Sequence, residues 1–480
     1  MKNIPSAQIT KHHSFDVQGY LFRWRGQLYR AIYPKREKDV IDLIQSGLLS
    51  ELTERGLFPK SEVVEYATDD CNLVIKHEQI PVATLPTEWS FSMLQDAART
   101  VIHVNQIAFK YGYQTIDAHG FNILFARGAP VFVDLGSFVK ISSDFGCQKP
   151  GWRPFGEFMR CFYAPLKLWS AGEPYFARHS LHGSQMPMAT LWRYQHMVFR
   201  LIPLTVLSNF EFLYYKYKAL NTLPQEEFEQ FASLSAVREK LGRWILRLAK
   251  MRLLLFSSVN LDKLDKRVAR IGRPSIRSTW AAYHDRASVS GRHKHVLDLI
   301  KQYKIKTVLD MAGNAGFLSR QILQVECVEQ VICADYDENA IDSLYRNLKG
   351  QGVNLVPAIM NFSSSISDSK FRDVVERFQS DCVVALALTH HLLLTQKLTL
   401  DYILERLKAF SKKYVFVEFM PLGLYSSQHE KEPLVPDWYH IDWFREGFLR
   451  HFRLLEETTL EKNRVLLTGE IARDAAATQD

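Results

Sequence analysis

Two adjacent histidines, His390 and His391, follow an apolar run that reads as a β-strand, Asp381 to Leu388. An imidazole titrates near neutral pH. At the end of a strand it could take a proton from a hydroxyl, join a metal site, or simply cap the sheet as a packed residue. Glu418 closes the next apolar run, Tyr414 to Glu418, and is a further candidate for touching a substrate. Upstream, residues 306–323 read KTVLDMAGNAGFLSRQIL, which is a strand, Asp310, a bend of small residues (Ala312-Gly313-Asn314-Ala315-Gly316) and a helix from near Phe317. Residues with little or no side chain let a backbone approach a ligand and let the helix pack close to the strand. The following strand, Gln330 to Ala334, ends at Asp335. A carboxylate about 20 residues past such a bend can accept hydrogen bonds from both hydroxyls of a ribose, which makes Asp335-Tyr336-Asp337 the expected ribose site.

These residues need a scaffold that brings the ends of several strands together. Beyond Arg273-Pro274 and residues 288–291, short apolar strands alternate with helical stretches, the pattern of a doubly wound parallel α/β sheet. Ligands bind such sheets at the carboxyl edge, where Thr389-His390-His391 falls. The last strands, Phe452 to Glu457 and Arg464 to Glu470, read as a closing hairpin. A dinucleotide-binding dehydrogenase is the competing reading of the bend. Asn314 in its middle, the acid at its start and the lack of a second mononucleotide-binding half argue against it.

The run VLDMAGNAG resembles the first motif of class I methyltransferases, with a Rossmann-like fold. Ala312 stands where the first glycine is usual. The resemblance implies S-adenosyl-L-methionine as cofactor, with Gly313 and Gly316 around its methionine part and Asp335 on its ribose. It makes Asn361, after a third strand at residues 354–359, an acceptor near the adenine amino group. Asp310, Ala312, Asn314, Tyr336 and Leu388 complete the implied cofactor set, and His390, His391 and Glu418 are the catalytic candidates.

The front half carries a second constellation, Asp117-Ala118-His119-Gly120-Phe121-Asn122 followed by Asp134-Leu135-Gly136. In kinases an aspartate five residues before an asparagine, then an aspartate-x-glycine, supply the base and two magnesium ligands. By that resemblance Asp117 is the base, and Asn122 and Asp134 are metal ligands if the site is active. No glycine-rich phosphate loop is visible near Gly19, and Arg30 stands roughly where the nucleotide-pairing lysine belongs; arginine does not replace lysine freely at a phosphate site. A degenerate α+β kinase-like domain at residues 1–150 is therefore expected. A helical, aromatic region at 151–272 and the methyltransferase domain at 273–480 follow it. Stretches such as LPTEWSFSMLQDAA, DAHGFNILF, ALALTHHL and VEFMPLG resemble bacterial methyltransferases grouped with rhizobial host-specificity nodulation proteins, which implies O-methylation in glycan pathways.

At 480 residues the chain has room for two or three domains, and 47% hydrophobic with 23% charged residues is a globular composition. The six cysteines show no closely spaced pair of the zinc or redox type, which fits a reduced, cytoplasmic setting. The N-terminus lacks an apolar core of secretory length. The most apolar long stretch, Met197 to Tyr215, contains Arg200, Pro203 and Glu211 and reads as a packed helix rather than a membrane span. Residues 236–295 hold 15 Lys or Arg against 4 Asp or Glu, a segment suited to peripheral contact with a polyanion or to a solvated helical face. No aromatic-basic recognition motif accompanies it, so nucleic acid is not the expected partner. The acceptor is expected to be a glycan or a small molecule.

Overall fold

The computed structural model describes residues 2–12, 18–141, 151–182, 186–219, 240, 243–244, 259–274, 291–363, 373–425 and 434–471. The chain forms two compact units. The first comprises residues 1–87, 91–125 and 130–275; the second comprises 88–90, 126–129 and 276–480.

The first unit opens with an antiparallel sheet of five strands in the order Thr10–Lys11, Gly19–Trp24, Gln27–Ile32, Leu73–His77, Ser61–Val64. The turn at Gly26 is a tight hairpin in which Arg25 and Gly26 both take positive φ, 49° and 73°. Two helices follow, Glu37–Gln45 and Leu48–Glu54, separated at Gly47 with φ 85°. Phe91–Lys110 is one long helix whose apolar stripe is buried, including Met93, Ala97, Val101, Val104 and Ala108. The aromatic run that follows is core, with Trp152, Phe155, Phe158, Phe162 and Trp169 buried. The apolar stretch at 197–215 is not one packed helix. Pro203, which cannot donate an amide, separates Met197–Arg200 from Leu204–Ala219, and several side chains there are exposed. Most of the basic 236–295 segment lies outside the described residues.

The second unit is built on one seven-stranded sheet. Its strands are β1 Thr307–Met311, β2 Gln330–Asp335, β3 Leu355–Ile359, β4 Ser380–Ala385, β5 Ser411–Phe419, β6 Phe452–Glu461 and β7 Arg464–Ile471. The order across the sheet is β3-β2-β1-β4-β5-β7-β6, with β1 to β5 parallel and β7 antiparallel between β5 and β6. The five parallel strands are apolar on both faces, as a sheet covered on both sides requires, and nearly every residue in them is buried. Among the described residues six α-helices connect or flank them: α1 Gly291–Gln302, α2 Phe317–Ile322, α3 Glu338–Leu348, α4 Val374–Phe378, α5 Leu400–Phe410 and α6 Ile441–His451. The core on one side joins Val296 and Ile300 of α1, Leu318 and Ile322 of α2, and Ile341 and Leu344 of α3 to Val308, Val331 and Cys333 of the sheet.

Strand order runs outward from β1 through β2 to β3, then reverses through β4 to β5. The reversal opens a crevice at the carboxyl ends of β1 and β4, the place where open α/β sheets hold ligands. The expected parallel strands, the acid after β2 and the closing hairpin all occur in this unit. The fourth strand is shorter than its apolar run suggests, ending at Ala385 rather than Leu388.

Candidate functional site

The bend after β1 is built from backbone that only small residues tolerate. Ala312, Asn314 and Gly316 take φ values of 62°, 49° and 69°. Asparagine and glycine enter this left-handed region at little cost, whereas alanine there is strained. The amide of Ala312 donates to the carbonyl of Ala334 at 2.8 Å, which ties the bend to the end of β2. A Cβ on Gly313 would lie 2.7 Å from both the Asp310 carboxylate and the Cys333 sulfur, and one on Gly316 would lie 2.6 Å from Leu344. Side chains are therefore excluded from the inner wall of the bend.

Asp335 faces this bend. Its Oδ2 accepts the Asn314 amide at 2.8 Å and its Oδ1 accepts the Asp337 amide at 2.8 Å. Burial raises its carboxyl above the usual range, and the two backbone amides oppose that shift. Each oxygen keeps a lone pair for a further donor. The neighbouring Tyr336 is 71% exposed. Asp337 is spent on the N-cap of α3, accepting from Asn339 and Ala340 at 2.9 and 3.1 Å.

Asp310 lies deeper than the rest of the implied cofactor set. Its carboxyl is buried on β1 and accepts the Ser319 hydroxyl of α2 at 2.5 Å. Burial pushes it up to about 7. It braces the bend from beneath. Asn361, after β3, is half-buried, and its Oδ1 accepts from the amide and hydroxyl of Ser363 at 3.0 and 2.9 Å. The oxygen expected to meet an adenine amino group thus already closes a local turn.

After β4 the chain turns at Ala387, φ 50°, and Thr389 starts a helical turn carrying both histidines. Leu388 is buried beside them. The imidazoles stand 4.1 Å apart, centroid to centroid. His390 is buried, and its Nδ1 has no hydrogen-bond partner among the described residues. Burial, then the neighbouring His391 and Arg464, push it down to about 3. His391 is half-buried, and burial lowers it too.

Glu418, near the end of β5, is fully buried and its carboxylate is engaged. Oε2 accepts the Ala387 amide at 2.8 Å and Arg464 of β7 at 2.6 Å, and the Arg292 guanidinium stands 3.8 Å from Oε1. Its carbonyl accepts the Thr389 hydroxyl at 2.8 Å. Glu418 therefore fixes the turn that carries the histidines. Arg464, Arg292 and Ser319 were not singled out by the sequence. Their partners lie 46, 126 and 9 positions away, and no local pattern marks such pairs.

The front-half constellation also comes together. Asp117 accepts the Asn122 amide and the Ser137 hydroxyl, both at 2.6 Å on the same oxygen. The Arg30 guanidinium, buried on its strand, stands 4.0 Å from Asp134, whose other contact is the Gly136 amide at 2.9 Å. Burial raises the Asp134 carboxyl, against the pull of Arg30. Among the described residues no group of three or more His, Cys, Asp or Glu side chains is placed to hold a metal ion.

No model of a known protein family matches the chain. The nodulation protein NoeA of Rhizobium meliloti strain 1021 is 21% identical over 446 residues, covering 85% of this chain and 83% of that protein. Three solved structures similar to about two-fifths of the chain are methyltransferases. The methyltransferase domain of bacterial CtHen1-C is 14% identical, covering 38% of this chain and 98% of its own, with a TM-score of 0.30. An S-adenosylmethionine-dependent methyltransferase of Clostridium acetobutylicum is 11% identical over 40% of this chain and 98% of its own, TM-score 0.31. The N-methyltransferase NodS of Bradyrhizobium japonicum is 9% identical over 38% and 95%, TM-score 0.28.

Proposed function

We propose that the second unit binds S-adenosylmethionine at the carboxyl edge of its sheet and methylates a hydroxyl of a glycan or small molecule. The observation that carries this reading is the Asp335 carboxylate held against the amide of Asn314, beside a bend packed too closely on Asp310, Cys333 and Leu344 to admit a Cβ at 313 or 316. A ribose suits the remaining lone pairs of Asp335, and the amino-acid end of the cofactor would lie along the backbone of the bend. The sheet order β3-β2-β1-β4-β5-β7-β6, with its antiparallel seventh strand, is the arrangement that the resemblance of VLDMAGNAG to class I methyltransferases implies.

When bound, the cofactor supplies a methyl group on a sulfonium, open to in-line displacement. The chain has two tasks: to align the acceptor oxygen and to receive its proton as the O–C bond forms and the C–S bond breaks. His391 is the better base. His390 is held neutral by its burial and by nearby cations, which makes it a poor proton acceptor, while its unpartnered Nδ1 suits it to orienting a ligand hydroxyl. Glu418 is a positioning residue, acting through the Ala387 amide on the histidine turn. The glycan class rests on the resemblance to nodulation methyltransferases and on similarity to a nodulation protein over most of the chain.

Titration calorimetry with S-adenosylmethionine tests the reading. Saturable heat that Asp335→Ala abolishes supports it, and no heat with the wild-type chain removes it. Tritium transfer from labelled cofactor into fractionated cell extract then finds the acceptor.

The front unit is best read as a degenerate kinase-like domain. Arg30 lies beside Asp134, and Asn122 is bonded to Asp117, so each of the two groups expected to hold magnesium is engaged with another side chain. Turnover of magnesium ATP that Asp134→Asn abolishes would overturn this and favour a bifunctional enzyme.

A further inference from the structure

Asp310, Asp335 and Asn361 stand at or just past the ends of β1, β2 and β3, which lie together on one side of β4. With the cofactor on that side, an acceptor that meets the histidine turn after β4 must come from the β5 side. β5 and β6 run in the same direction, because both pair antiparallel with β7. The helix between them, α6, therefore runs back, and its first turn stands at the carboxyl edge of the sheet. That turn carries Trp443, and the segment before it carries Trp438 and Tyr439. The segment lies close to the histidine turn: a Cβ on Gly423 would stand 2.8 Å from Leu394, in the helical turn His391–Thr395, and 2.9 Å from Val435.

The rings of Trp438 and Trp443 form a corner, 4.8 Å apart between centroids with their planes at 64°. His440 accepts the Trp443 amide on Nδ1 at 3.2 Å and so caps α6 beneath that ring. Tyr439 packs on Phe419, the last residue of β5, at 4.9 Å and lies 5.7 Å from Trp438. Trp438 is 45% exposed and Trp443 half-buried, whereas Tyr439 is 3% exposed. The Tyr439 hydroxyl has no hydrogen-bond partner among the described residues. A buried hydroxyl left unbonded is costly, and phenylalanine would fill the same space without that cost. A ligand hydroxyl would remove it. Flat apolar rings beside an unused hydroxyl suit a ligand that is itself a ring with C–H groups on its face and hydroxyls at its rim. A pyranose is such a ring. An acidic acceptor fits less well. Residues 434–444 contain Asp437 and Asp442 and no Lys or Arg. The arginines of the flanking elements each stand beside carboxylates: Arg445 with Asp442 and Glu457, Arg464 with Glu418 and Glu461, Arg292 with Glu418.

We propose that Trp438, Tyr439 and Trp443 seat a sugar ring of the acceptor, so that the methylated hydroxyl belongs to a carbohydrate. This rests on the second unit being the methyltransferase proposed above. The test is tritium transfer from labelled S-adenosylmethionine, by the full chain, into three fractions of cell extract: oligosaccharides, lipids and small metabolites. The expected result is label in the oligosaccharides, released by acid hydrolysis as an O-methyl sugar. Trp438→Ala removes an exposed ring and should raise the amount of that fraction needed for half-maximal transfer about tenfold. Tyr439→Phe keeps the ring and removes only the hydroxyl. It should weaken use of the acceptor roughly two- to tenfold, while the melting temperature holds or rises; a merely structural tyrosine would leave acceptor use unchanged. Both variants should bind S-adenosylmethionine as the wild type does in calorimetry. No heat with the wild type removes the methyltransferase reading and this inference with it. Normal heat overturns the sugar subsite alone if no label reaches the oligosaccharides, or if acceptor use is indifferent to both substitutions. Label confined to the lipids would fit an aliphatic acceptor on the exposed Leu424 and Leu434 instead.

Discussion

Replacing Ala312 by glycine should stabilise the second unit, an uncommon outcome for a mutation in a ligand-binding bend. The residue holds φ at 62°, with its amide locked to the Ala334 carbonyl. The left-handed conformation costs an L-residue about 1–2 kcal/mol. Glycine escapes that cost but gives the unfolded chain about 0.4–1 kcal/mol more entropy to lose. The balance is about 0.5–1 kcal/mol in favour of glycine, and for a domain of this size about 1 kcal/mol moves the midpoint by roughly 2–4 °C. Ala315, in the same bend but absent from the positive-φ residues, provides the control: Ala315→Gly should destabilise by a comparable amount. Denaturant and thermal unfolding of the full chain, followed by near-ultraviolet circular dichroism, would measure both. If Ala312→Gly lowers stability as Ala315→Gly does, the left-handed bend described for this loop is wrong, and the cofactor cradle built on it fails as well.

Four further outcomes follow from the site. His391→Ala should lower kcat by about 10²–10⁴, while His390→Gln should act mainly on KM; equal losses of kcat in both would reject His391 as the base. The acid limb of the wild-type rate should lie below the pH at which a free imidazole titrates, because burial lowers His391. Glu418→Gln leaves Arg464 only the more exposed Glu461 as charge partner and should cost about 2–4 kcal/mol, whereas a loss under 1 kcal/mol would show that the pair is not the clamp described. His390 titrates at about 3 when folded against 6.5 as a free group, so the unfolded chain takes up its proton first and stability is lost as pH falls between those values. Replacing His390 by Gln should flatten that acid limb of the stability curve, and an unchanged limb would contradict its burial.

Much of the second unit was legible because parallel strands buried on both faces leave continuous apolar runs. The bend was legible because close backbone approach demands glycine at 313 and 316. The fourth strand was overextended because Leu386 and Leu388 continue the apolar run through a turn. That turn is buried against Glu418 rather than paired, and only the left-handed Ala387 marks it. Glu418 looked like a substrate contact since an acid at a strand end is usually solvated. Its arginine comes from β7, and charge pairing over such separations leaves no periodic trace. The stretch at 197–215 was misjudged for the opposite reason: apolar composition suggests burial, but it cannot tell a core from an uncovered face.

The threading of β7 between β5 and β6 has a consequence for synthesis. A ribosome releases β5 well before residues 464–471 exist, so the nascent sheet carries a bare, strongly apolar border, Val415 to Phe419, with Glu418 lacking Arg464, one of the two arginines beside it. Unpaired strand borders recruit other chains. Translation that pauses between residues 420 and 463 should leave this protein dependent on chaperones, and the histidine turn cannot set until the final strand slides into place.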